Sequence, residues 1–185
     1  MKRQENKSRK RNQWLILCAV GVAITVALVL IIYALTTPKL VETVTSPDGK
    51  KQLSVHQRPD KTTYTIEDRA IIQGVQEYCG LYFSSDSRYY LFVYEDLRDG
   101  QQFFLKDYQN ILAGGANPEL ACKTAPDFRE ELTKYGMWVS IAFHFQKWHE
   151  TENLVLLSYT YTLLDGREVT GEIWWNVEEQ SVSKK

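Results

Sequence analysis

The sequence predicts an α+β protein: one N-terminal transmembrane helix followed by a small, mainly antiparallel β domain with one short helix. Three observations carry that reading. Residues 14–35, WLILCAVGVAITVALVLIIYAL, contain no charge and one plainly polar side chain, Thr25. Beyond them, turn-forming Pro, Asp, Gly and Ser recur at short intervals. Between the last of these turns, oily and wet residues alternate with the period of a strand.

At about 1.5 Å of rise per residue, a helix over 14–35 spans the roughly 30 Å hydrocarbon core of a bilayer. Trp14 and Tyr33 fall near its ends, where aromatic rings favour the headgroup region. A cleaved signal peptide has a shorter apolar run ending in an A-x-A-like site. No such site occurs here, and Cys18 stands at the start of the run, after a bulky Leu17, unlike a lipoprotein cysteine. The sequence therefore predicts an uncleaved anchor, with the lipid bilayer as its partner.

Charge divides unevenly about this segment. Of 22 Lys/Arg and 23 Asp/Glu, residues 1–13 hold six (Lys2, Arg3, Lys7, Arg9, Lys10, Arg11) and one (Glu5). That leaves 16 basic and 22 acidic groups beyond residue 13, a net of −6. The basic flank places the N-terminus in the cytoplasm and the following domain outside it. An acidic domain is a poor ligand for a phosphate backbone, so no nucleic acid is expected. The one N-x-S/T sequon, Asn6-Lys7-Ser8, lies on the cytoplasmic side, which leans toward a bacterial surface protein.

The order along the chain is then a basic, disordered tail over 1–13, the span over 14–35, a linker over 36–39, a domain over 40–180 and a tail over 181–185. Pro38 stops the helix. Residues 40–45, 52–56 and 62–68 read as short strands, separated by Ser46-Pro47-Asp48-Gly49 and Arg58-Pro59-Asp60-Lys61 turns. The stretch 70–79, interrupted by Gly74, reads as strand. Residues 88–95, RYYLFVYE, are apolar on both faces, as in a strand covered from both sides. Asp99-Gly100 turns the chain into a strand over 101–106. Loop chemistry fills 113–118, and Thr124 caps a helix over 124–135 with Phe128, Leu132 and Tyr135 as its stripe. Residues 137–147, 154–164 and 167–177 then alternate as three consecutive strands. Their oily face needs a cover, for which the 124–135 helix and the first meander are candidates.

Two turns repeat. Ser46-Pro47-Asp48-Gly49-Lys50 and Ser84-Ser85-Asp86-Ser87-Arg88 lie 38 residues apart, each followed by Leu-x-Val (Leu53-Ser54-Val55 and Leu91-Phe92-Val93). This pattern resembles the blade repeats of TolB-type β-propellers, where a Ser/Asp turn precedes the inner strand of a blade. The stretch Gly171-Glu172-Ile173-Trp174-Trp175-Asn176-Val177 is similar to a blade's closing strand. The resemblance implies a local strand–turn–strand geometry and no activity. At the same period a third copy meets Cys122 in place of Ser, and about 150 residues fall short of four blades of roughly 40 residues.

No residue stands out as catalytic, cofactor-binding or metal-ligating. There is no G-x-S-x-G, P-loop, G-x-G-x-x-G or H-E-x-x-H. His144 and His149 are five apart on strand geometry and face opposite sides, and His144 reads as a solvated surface residue. Glu95, Asp96 and Asp99 read as acids that keep a hairpin tip soluble. Cys79 and Cys122, an even pair in an exported domain, permit a disulfide; two buried free thiols is the equal alternative. The aromatic load is the compositional oddity. Alternation puts Trp148 and Trp174 on the wet side, where they mark a partner surface unless a loop or helix covers them. The sequence thus leans away from an enzyme and toward a membrane-anchored domain that binds an envelope protein or a second copy of itself. A membrane-anchored exported hydrolase and a structural subunit of an envelope or secretion assembly are the alternatives.

Overall fold

In the computed structural model, residues 2–67, 69–96, 100–107, 115–116, 118–125, 141–163 and 165–185 are described. They divide into two compact units, Met1–Lys39 and Leu40–Lys185.

The first unit is one helix, α1 (Lys2–Thr36). Its segment Trp14–Thr36 is long and apolar enough to cross a membrane, with a mean hydropathy of 3.2 over its most apolar 18 residues. Its threonine hydroxyls are satisfied within the helix. Thr25 donates to the Gly21 carbonyl at 3.0 Å and Thr36 to that of Ile32 at 2.8 Å, so neither hydroxyl asks for water. The expected disorder of the tail is corrected here, since 2–13 continue the helix. Growing an existing helix avoids the nucleation penalty that an isolated polar segment faces.

The second unit is built of strands. β1 (Lys39–Thr45), β2 (Gln52–Gln57), β3 (Tyr64–Ile66) and β4 (Ala70–Ile72) form one four-stranded sheet in chain order. β5 (Val75–Phe83), β6 (Tyr89–Asp96), β7 (Gly100–Asp107) and β8 (Gly115–Ala116) form a second. A short helix, α2 (Pro118–Thr124), comes next. β9 (Ala142–Trp148), β10 (Leu154–Thr162), β11 (Glu168–Asn176) and β12 (Ser181–Lys184) form the third. The strand pairings with assigned register are antiparallel.

The sheets are layered, and the middle one is covered on both faces. On β6, Tyr90 and Phe92 pack with Leu53, Val55, Tyr64 and Ile66 of the first sheet. Their neighbours Tyr89, Leu91 and Val93 pack with Val155, Leu157, Ile173 and Trp175 of the third. Period-two alternation thus sends one strand into two cores. The oily face of the third sheet is covered by the middle sheet and by Ala121 and Cys122 of α2. The first meander, one of the two expected covers, packs on the other side of β6.

Several boundaries differ from the sequence reading. The run 70–79 splits at Gly74 between two sheets. Residues 181–184, set apart as a tail, pair with β11 as β12, placing Val182 against Trp175. The helix begins at Pro118 and ends at Thr124, where a helix was expected to start. Proline suits the first helical position because the N–H it lacks has no helical partner there, and Glu119 favours the positive end of the dipole. The stripe expected at Phe128, Leu132 and Tyr135, Trp138, and Asp99 of the hairpin lie outside the described residues.

Candidate functional site: a groove at three strand edges

Each sheet begins with a terminal strand, β1, β5 or β9, whose outer row of backbone N–H and C=O groups is unused within its own sheet. The three strands meet at a groove of about 340 Å³. Val44 and Thr45 of β1, with Pro47, form one side; Leu81, Tyr82 and Phe83 of β5 form the second; Phe145, Gln146, Lys147 and Trp148 of β9 form the third.

Aromatic rings make the wall between β5 and β9. Tyr82, 37% exposed, stacks on Phe145 at 4.3 Å between centroids. The Trp148 indole donates to the Tyr82 carbonyl at 3.2 Å and so bridges the two strand edges. The Tyr82 hydroxyl donates to the Cys79 carbonyl at 3.1 Å, folding the ring back over Gly80. A Cβ at Gly80 would lie 2.4 Å from that hydroxyl, and the backbone there has φ +148°, so glycine alone permits the pose. The Phe145 N–H donates to the Gln101 side-chain oxygen at 2.5 Å, which takes up one edge donor.

Trp148 reaches this wall because of a β-bulge. The register of β9 against β10 shifts between Leu156 and Leu157, which pair with Lys147 and Phe145 and leave Gln146 over. One extra residue reverses the facing of the strand beyond it. Strict alternation puts Trp148 on the wet side; the bulge turns it inward beside Val155, packed against the core. Trp174 remains on the other face of the third sheet, half-buried, with the His149 ring edge-on to it at 5.2 Å. The two tryptophans proposed together as a partner surface are therefore on different surfaces, and only Trp148 lines the groove. Tyr82 and Phe145 were not singled out in the sequence; a lone glycine inside a strand two residues before an aromatic was the available signal.

The two Ser/Asp turns have one geometry. Ser46 and Ser84 hydroxyls donate to Asp48 and Asp86 at 2.5 and 2.6 Å and accept the N–H of Lys51 and Tyr89, both at 2.9 Å. The carboxylates accept the N–H of Lys50 and Arg88. Gly49 and Ser87 take the same left-handed position, at φ +69° and +61°. The place of the third turn falls at His149, whose N–H donates to the Leu154 carbonyl at 2.8 Å, as that of Ser84 does to Tyr89. A fixed period pointed to Cys122 instead because a segment that includes α2 intervenes between β8 and β9.

The turns are also tied to one another. The Asp48 N–H donates to the Ser87 hydroxyl at 3.1 Å, and Lys51 bonds the Ser87 carbonyl. The Asn153 amide donates to Asp86 at 3.0 Å. Arg88 bridges Asp107 at 3.1 Å and Glu178 at 2.6 Å with its guanidinium over the Tyr89 ring, so a residue of the middle sheet clasps the third. Burial alone would raise the Asp86 carboxyl. The hydrogen bonds from Ser84, the Arg88 N–H and Asn153 outweigh it and hold the group below its ordinary range. A depressed pKa adds stability above the unfolded value of about 4, and that stability is lost as pH falls through the folded value. Urea midpoints measured down the acid limb should accordingly fall more steeply below about pH 4 in the wild type than in Asp86→Asn. Superimposable acid limbs would show that this carboxylate contributes nothing to acid sensitivity.

The remaining candidate residues do not gather. His144 is exposed opposite Ser158 on the outer face of the third sheet. Among the described residues no three His, Cys, Asp or Glu side chains come together as a metal site. Cys79 and Cys122 are free thiols that pack against the same core, Cys79 half-buried on β5 and Cys122 buried on α2. Burial pushes the Cys122 thiol up to about 12, with Glu119 adding to the shift, so it stays protonated and inert.

No protein-family model matches the sequence, and no curated protein does. Among solved structures it is similar to one titled "Complex structure of the fission yeast SREBP-SCAP binding domains", at 8% identity and a TM-score of 0.30. The similarity covers 80% of this chain and 36% of the other, so this chain spans about a third of that structure's length.

Proposed function

We propose that this chain is a single-pass membrane protein whose N-terminal helix anchors a binding domain outside the cytoplasm, and that the groove between β1, β5 and β9 seats an extended, apolar stretch of polypeptide. The observation that supports this reading is the make-up of the groove. Terminal strands, each at the edge of its sheet, suit an incoming strand, and the Tyr82–Phe145–Trp148 wall suits its apolar side chains. The lining carries one charge, Lys147, and no carboxylate, imidazole or thiol. The Lys147 ammonium, Tyr82 phenol and Thr45 hydroxyl have no carboxylate or imidazole beside them in the lining to activate them, which favours binding over hydrolysis. The six Lys/Arg ahead of the span favour a cytoplasmic N-terminus. An envelope protein or a second copy of this chain is the source of the bound stretch.

The full chain in lipid nanodiscs, presented with a display library of short random peptides, tests this. Peptides with apolar residues at alternate positions should be enriched over empty discs. Tyr82→Ser, which removes a ring outside the buried clusters, should weaken the enriched peptides by about tenfold while lowering the thermal midpoint only slightly, through the lost Phe145 stack and Cys79 hydrogen bond. Binding that ignores Tyr82→Ser, or no enrichment over empty discs, would overturn the assignment.

A further inference from the structure

The continuation of α1 through the basic segment gives that segment a geometry that a disordered tail lacks. We infer that residues 2–13 form a helical docking surface for anionic phospholipid headgroups, which hold the extension helical at the membrane face. The inference rests on the reading of α1 as the membrane anchor.

Two features carry it. On a helix of 3.6 residues per turn, the positions of Lys2, Arg3, Lys7, Arg9, Lys10 and Arg11 fall within roughly 200° of the circumference. Gln4, Ser8 and Asn12 take the remainder, with the one acid, Glu5, at its edge one turn from Arg9, so the net charge of the arc stays strongly positive. The second feature is distance. Arg11, Arg9 and Lys7 precede Trp14, the start of the apolar segment, by three, five and seven residues. At about 1.5 Å per residue that is roughly 5 to 10 Å along the axis, within about one Debye length at physiological salt. Four cations, with Lys10, therefore feel an anionic bilayer surface even if the helix stands upright. A tether that keeps them there favours membrane lipid over a soluble polyanion, because local concentration is set by the span.

Hydrogen exchange on the full chain tests this, in nanodiscs of phosphatidylcholine alone and of phosphatidylcholine with roughly a third phosphatidylglycerol. Amides 7–13 should exchange about tenfold more slowly in the anionic discs, and high salt should remove the difference. The combined variant Lys7→Gln, Arg9→Gln, Lys10→Gln, Arg11→Gln should exchange alike in both. Equal rates for the wild type in the two lipids overturn the inference. So does slowing in zwitterionic discs on adding inorganic phosphate, which would assign the surface to free anions. Amides 14–36 report separately on the anchor: slow exchange in both discs keeps it, and fast exchange in both overturns the anchor and this inference together.

Discussion

Trp175→Ala is expected to cost the domain about 3–5 kcal/mol, a large part of what a domain this size has to lose. Trp175 is fully buried on β11, beside Val155 of β10 and Val182 of β12. It belongs to the cluster that joins the third sheet to Leu91, Val93, Phe103 and Leu105 of the middle one. Truncation leaves a hole that strands on both sides border and cannot collapse into. A second substitution separates the ring from its nitrogen. The indole Nε1 is buried without a hydrogen-bond partner among the described residues, a penalty that Trp175→Phe removes while retaining most of the volume. Trp175→Phe should therefore cost only about 1 kcal/mol, the lost volume being partly offset by the lost polar group. Urea denaturation followed by far-ultraviolet circular dichroism measures both. If alanine costs no more than phenylalanine, the ring is not the core of that interface.

What was legible in the sequence was mostly what lies within one strand or one turn. The 88–95 run, apolar on both faces, reads directly as a strand between two cores, and β6 is that strand. Alternation over 154–164 and 167–177 orients Val155, Leu157, Ile173 and Trp175 correctly because β10 and β11 pair without a shift. Ser46 and Ser84 announce their turns because the hydroxyl–carboxylate bond spans two residues and nothing distant is needed to form it. Alternation fails at Trp148 because one inserted residue, Gln146, costs little locally yet reverses every later facing. The groove escaped altogether. It is made by the edges of β1, β5 and β9, strands that share no pairing, and no local pattern encodes which edges converge. β12 is four residues long with exposed serines, too short to show a period.

Phe92→Ala tests whether the two cores stand or fall together, and it too should cost about 3–5 kcal/mol. Phe92 is fully buried on the opposite face of β6 from Leu91 and Val93. Its ring lies 5.1, 5.7 and 5.9 Å from those of Tyr78, Tyr94 and Tyr64, so its loss frees three aromatic partners at once. The backbone of β6 is shared: it pairs with β5 along one edge and with β7 along the other, and the adjacent side chains hold the third sheet. Unfolding the first core must therefore disturb the strand that supports the second. Trp148, Trp174 and Trp175 all lie in the third sheet and report its state by fluorescence. In Phe92→Ala that signal should melt at the same lowered midpoint as the far-ultraviolet circular dichroism, as one transition. A tryptophan midpoint left at the wild-type value while the circular dichroism midpoint drops would mean that the third sheet keeps its own stability. The shared strand would then be a hinge between two folding units, and a ligand seated at the β1, β5 and β9 edges would be gripping parts free to move apart.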